Sequence, residues 1–125
     1  MRAWVGDMYA VLHYLKNLDW VDGDRIVLAG WSHAGWAVMD AMAFSSRNES
    51  PYNVKEDYPE AFDGVSHIFL LYPHCGFGTE AKQGFIWDKP IPTLLLSAGK
   101  DTSVNPSHCS AWYTKLQTHL SLIHI

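Results

Sequence analysis

Gly30-Trp31-Ser32-His33-Ala34-Gly35 is the stretch whose residue types and spacing could support catalysis. It follows an unbroken apolar run at 26–29 and precedes an Ala- and Met-rich segment of helical composition at 36–44. A serine on so abrupt a strand-to-helix turn projects its Oγ above the carboxyl edge of a sheet, where it can act as a nucleophile. Such a turn is crowded, so the positions two before and two after the serine must be small, as Gly30 and Ala34 are. Gly35 would let the following helix approach the sheet. A serine serving only as a helix cap would explain Ser32 but not small residues on both sides of it. The backbone N–H of His33 would supply half of an oxyanion hole, and Trp31 is placed to touch an acyl group.

A nucleophilic serine needs a base, and the base needs an acid to orient it and to stabilise its imidazolium. Leu94-Leu95-Leu96-Ser97-Ala98-Gly99-Lys100-Asp101 reads as a strand running into a turn that presents a carboxylate. Parallel strands bring their carboxyl ends to one edge, so Asp101 and Ser32 are expected on a common face, the serine first in chain order. The competing reading of Asp101 is a surface turn residue that caps the next few residues of the chain. Seven histidines are present. His13 lies on a helix before the serine and His67 within a strand. The ring of His33 is tied to the serine turn. His108 falls at a helix start, while His119 and His124 fall at the end of the chain. His74 follows a strand on the same edge and could line a substrate pocket. None is placed to deprotonate Ser32, and the base is expected after a further strand, beyond residue 125.

The elements that must position these groups follow from the apolar spacing. Trp4, Met8, Val11, Leu12, Leu15 and Leu18 recur at three- and four-residue steps, which predicts one stripe of a helix over 4–18. Residues 25–29, 65–72 and 93–98 are strand-length runs typical of buried parallel strands. Residues 45–63 are polar, contain Pro51 and Pro59, and read as a surface excursion; 76–90 reads as Gly-containing loop with room for a short turn of helix. Asn105-Pro106 opens a helix that carries through Leu116, with proline at its first position. The alternation predicts an α/β fold: a parallel sheet of about three strands in sequential order, flanked by helices on both faces.

Composition narrows the functional classes. The chain has 125 residues, 48% hydrophobic, enough for one globular domain. A formal charge of −4 and the lack of a Lys/Arg cluster argue against nucleic acid as a partner. No apolar run approaches the length of a membrane span. Cys75 and Cys109 each follow the carboxyl end of a neighbouring strand, so they are either a disulfide or two partly buried thiols. A bridge would point to an exported parent, periplasmic or secreted, and free thiols to a cytoplasmic one.

Several segments together resemble the dienelactone hydrolase family of the α/β-hydrolase superfamily. These are Asp24-Arg25-Ile26, the Gly30 to Gly35 turn, Leu71-Tyr72-Pro73-His74-Cys75, the run from Pro92 to Asp101, and Pro106-Ser107-His108-Cys109. The resemblance spans most of 5–118 and implies a partial α/β-hydrolase fold. It also implies ester or lactone hydrolysis through an acyl-enzyme, with the triad acid at Asp101 and no metal or organic cofactor. The family's founding members carry cysteine where Ser32 stands. The strands that would precede Arg2, and the loop supplying the second oxyanion donor, lie outside the chain. Residues 1–119 are therefore expected to be the C-terminal half of a hydrolase domain. Leu120-Ser121-Leu122-Ile123-His124-Ile125 spells the in-frame translation of a transposase sequencing adapter, and 120–125 is expected to be a foreign tail.

Two other functions fit the same residues. A serine peptidase or acyltransferase would use the same turn, because fold does not set substrate. A non-catalytic binding protein could keep the fold and the serine without a base. A histidine after one further strand of the complete gene would favour the enzyme readings, of which a serine ester hydrolase acting on small molecules is the leading expectation, and its absence would favour the binding protein.

Overall fold

The computed structural model describes residues 2–47, 49, 58 and 60–120. Most of the polar excursion, and all of the expected tail beyond Leu120, lie outside these. In chain order the elements are α1 (Arg2–Lys16), β1 (Ile26–Trp31), α2 (Ser32–Ser46), β2 (Val65–Leu71), β3 (Thr93–Leu96) and α3 (Pro106–Leu120). The three strands form one parallel sheet in the order β1-β2-β3, as expected from the sequence. Gly30 pairs with Leu70 and Leu70 with Leu95, so the carboxyl ends of all three strands reach one edge.

The core lies on one face of the sheet. α2 is the central element: Ala37 to Phe44 are all buried, as in a helix enclosed on every side. It packs between α1 and the strands. Leu28, Ile68, Leu70 and Leu95 face it, and Val5, Tyr9 and Leu12 of α1 close the layer, with Tyr9 edge-on to Phe62 at 4.7 Å. Burial of the Tyr9 ring pushes its hydroxyl pKa up to about 12. From the other end, Trp112 and Leu116 of α3 enter the same core, where Trp112 meets Trp87 at 5.2 Å. α3 begins as expected: Pro106 is its first residue, and Asn105 Oδ1 accepts the N–H of Ser107 at 3.0 Å.

Three expectations need correction. The buried stripe of α1 runs through Val5, Met8, Tyr9 and Leu12, whereas Trp4 and Val11 are about half exposed. The two stripes overlap on the helix, and the seat of Tyr9 against Phe62 decides between them. The sheet is also not covered on both faces among the described residues. Val27, Trp31, Phe69, Leu94 and Leu96 all point to the second face and are 40–58% exposed, so helices lie on one side only. Finally, β1 extends through Gly30 and Trp31, and α2 starts at Ser32 rather than Trp36. The strand passes into the helix with no intervening loop.

Candidate functional site

That direct passage sets the conformation of Ser32. With Trp31 extended at φ −123° and ψ 149°, the next residue must reverse direction at once, and Ser32 adopts φ 51°. A residue with a Cβ in the left-handed region costs on the order of 1 kcal/mol. The surroundings hold it there. A Cβ on Gly30 would lie 2.8 Å from the backbone of Ala34 and Gly35. A Cβ on Gly35 would lie 2.7 Å from the Pro73 ring and 3.2 Å from the Gly30 carbonyl. The tight positions are thus Gly30 and Gly35. Ala34, expected to be small through crowding, is exposed, because its backbone and not its side chain faces Gly30. The N–H of His74, beyond the end of β2, donates to the Ser32 carbonyl at 3.1 Å and ties the turn to the neighbouring strand.

Ser32 is half-buried, and its Oγ has no hydrogen-bond partner among the described residues. No side chain caps α2, so the N–H groups of its first turn, that of His33 included, have no intrahelical acceptor. The His33 ring packs at 4.8 Å from Trp4 and 5.1 Å from Trp36. Trp36 lies in turn 5.1 Å from His74, making an aromatic row beside the turn. Trp31 is 58% exposed on the uncovered face of the sheet.

Asp101 follows β3 at the same sheet edge. Its N–H donates to the Ala98 carbonyl at 3.0 Å, and its Oδ1 accepts the N–H groups of Ser103 and Val104 at 2.8 and 3.0 Å. One carboxylate oxygen therefore holds the turn, as the capping reading anticipated, while Oδ2 has no partner among the described residues. β2 separates β1 from β3, which sets their ends about 10 Å apart. An imidazole hydrogen-bonded at both nitrogens spans on the order of 8 Å, comparable with the separation of those strand ends.

No histidine among the described residues occupies that place. His13 contacts Asn17 and the ring of Tyr58, His67 lies on the exposed face beside Ser66, and His74 Nε2 sits 3.3 Å from the Phe77 carbonyl. His108 Nε2 is 3.5 Å from Lys82 Nζ, and His119 is exposed; His124 lies outside the described residues. The structure joins Cys75 to Cys109 in a disulfide with Cα atoms 5.1 Å apart, linking the exit of β2 to the start of α3.

Sequence reasoning missed Asp40. This side chain is 4% exposed within α2, accepts Trp36 Nε1–H at 2.6 Å through Oδ2 and accepts the Glu80 N–H at 2.9 Å through Oδ1. Burial dominates over these hydrogen bonds and raises its pKa from 3.8 to about 6. A lone carboxylate in an otherwise apolar helix was the available signal. Glu80 in turn receives Arg47 at 2.9 Å, so the loop after β2 is fastened to α2 at two points.

No family model matches the sequence, and no curated protein matches it either. Among solved structures, a lipase/esterase from Lactobacillus plantarum matches with a TM-score of 0.61 and 20% identity, over 94% of this chain and 54% of that one. A carboxylesterase from Lactobacillus plantarum WCFS1 matches with a TM-score of 0.59 and 21% identity, over 91% of this chain and 47% of that one. The chain spans about half the length of these structures. No helix among the described residues is long and apolar enough to cross a membrane. Three parallel strands in sequence order, helices packed on them and this likeness give the chain part of an α/β-hydrolase fold.

Proposed function

We propose that the parent of this chain is a serine hydrolase of dienelactone hydrolase type that cleaves small carboxylic esters or lactones. The observation that carries the reading is Ser32 at φ 51°, wedged between β1 and α2 by two glycines with no room for a Cβ. The protein maintains a strained backbone there and leaves the hydroxyl without a partner among the described residues, an arrangement that serves a reactive group better than a structural one. The fold and the esterase names of its structural neighbours support it.

In this mechanism a histidine supplied outside the chain takes the Ser32 Oγ proton as Oγ attacks the substrate carbonyl carbon. The developing oxyanion accepts the His33 N–H at the start of α2. The histidine returns the proton to the departing alkoxide, leaving an acyl group on Ser32, and then activates water to release the acid. Asp101 Oδ2 would orient the histidine while Oδ1 fixes the turn that carries it. Trp31 and His74 would border the acyl group, Trp31 from β1 and His74 from the loop hydrogen-bonded to Ser32. The Cys75–Cys109 bridge supports an exported parent.

The test begins with recovery of the complete reading frame from the source DNA. The full-length protein is then treated with a fluorophosphonate and assayed on p-nitrophenyl acetate. Labelling at Ser32, and loss of both labelling and turnover in Ser32→Ala, is the expected result. Full turnover by Ser32→Ala would overturn the reading.

A further inference from the structure

Away from Ser32, a 390 Å³ cleft opens between the loop after β2 and the first turns of α3. Its polar lining is basic: Lys82, His108 and Lys115 all face it, and no carboxylate does. This is unusual in a chain with 13 acidic residues against 9 Lys and Arg. Elsewhere Arg25 pairs with Asp22, Arg47 with Glu49 and Glu80, and Lys89 with Asp63. Lys82 and Lys115 have no carboxylate partner among the described residues. Lys82 Nζ lies 3.5 Å from His108 Nε2, a contact that requires that nitrogen to be the acceptor, and Lys115 Nζ donates to the Gly84 carbonyl at 2.6 Å.

We propose that this cleft binds an oxyanion carried on an apolar body, such as an aromatic carboxylate. Each ammonium carries three donors and spends one on the protein, so two remain on each lysine for a ligand. Ser107 adds no donor, because its hydroxyl is committed to Asn105 Oδ1 at 2.7 Å. The carboxylate or phosphate head sits between the two lysines, and the body lies over the exposed Ala111 and reaches the small edge of the largely buried Trp112 that lines the cleft. The volume falls within the range of small-molecule sites. The inference is independent of the role of Ser32.

The test is an NMR titration of the ¹⁵N-labelled chain with benzoate, and separately with inorganic phosphate, at constant ionic strength set by chloride. Saturable shifts confined to the amides of Lys82, His108, Trp112 and Lys115 are expected, with benzoate the tighter ligand because only it uses Trp112. Lys82→Ala should weaken both about fivefold, whereas Lys100→Ala, an exposed lysine outside the cleft, should change neither. Lys115→Ala provides the same comparison if Lys82→Ala loses its dispersed spectrum. Non-saturating shifts, or equal losses in Lys100→Ala, would overturn the proposal. Phosphate binding tighter than benzoate would overturn the apolar half of it.

Discussion

Replacing Asp40 with asparagine should have an effect on stability that shifts steadily between acid and neutral pH. The folded carboxyl titrates near 6 and the unfolded one near 3.8. Between those values the native state holds more protons, so stability from this group is fully present below 3.8 and lost as pH rises through about 6. The full difference is on the order of 3 kcal/mol at 1.36 kcal/mol per pH unit, and about 2 kcal/mol of it falls between pH 4.5 and 7.5. The asparagine amide does not titrate, so the variant lacks this dependence. It does carry a fixed cost. Asp40 accepts on both oxygens, and the asparagine amide turns a donor toward either Trp36 Nε1 or the Glu80 N–H, at about 1–3 kcal/mol. That cost is the same at both pH values and cancels when they are compared. Urea unfolding followed by circular dichroism should therefore show Asp40→Asn improving, relative to the native sequence, by about 2 kcal/mol from pH 4.5 to 7.5. A change below about 0.5 kcal/mol, or of opposite sign, would refute burial as the force acting on Asp40.

Three other perturbations test the turn, the bridge and the open face. Gly35→Ala drives a Cβ to 2.7 Å from the Pro73 ring and should cost about 1–3 kcal/mol in urea unfolding; Ser32→Gly should instead stabilise by about 0.5–1 kcal/mol, since glycine accepts the left-handed backbone freely. Reducing Cys75–Cys109, whose sequence separation is 34, should lower stability by about 3–4 kcal/mol in the chain-entropy model, read as a lower urea midpoint with dithiothreitol. The uncovered face bearing Val27, Phe69, Leu94 and Leu96 should make the chain self-associate, and Phe69→Lys should reduce that association in sedimentation velocity without lowering the helical signal.

Much of the architecture is local, and the sequence alone determined it. Apolar runs of strand length, a Pro at the first position of α3 and Asp101 after the β3 turn each follow from a few neighbouring residues. So does the placement of Ser32 between a strand and a helix, from the apolar run before it and Gly30 at the turn, although the crowded position after it is Gly35 and not Ala34. Parallel pairing then carries Ser32 and Asp101 to one edge without further information. Contacts between distant segments were not legible in this way. The rotation of α1 that buries Val5 and Tyr9 depends on Phe62, the crowding at Gly35 on Pro73, and the closure of the disulfide on how α3 docks beside β2. Covering one sheet face and leaving the other open is likewise a property of the assembled layers, since Phe69 and Leu94 are as apolar as the residues beneath α2. Asp40 shows the same division in a single side chain. Its presence in an apolar helix is written in the sequence, but its proton affinity is set by burial among elements brought together only by the tertiary fold.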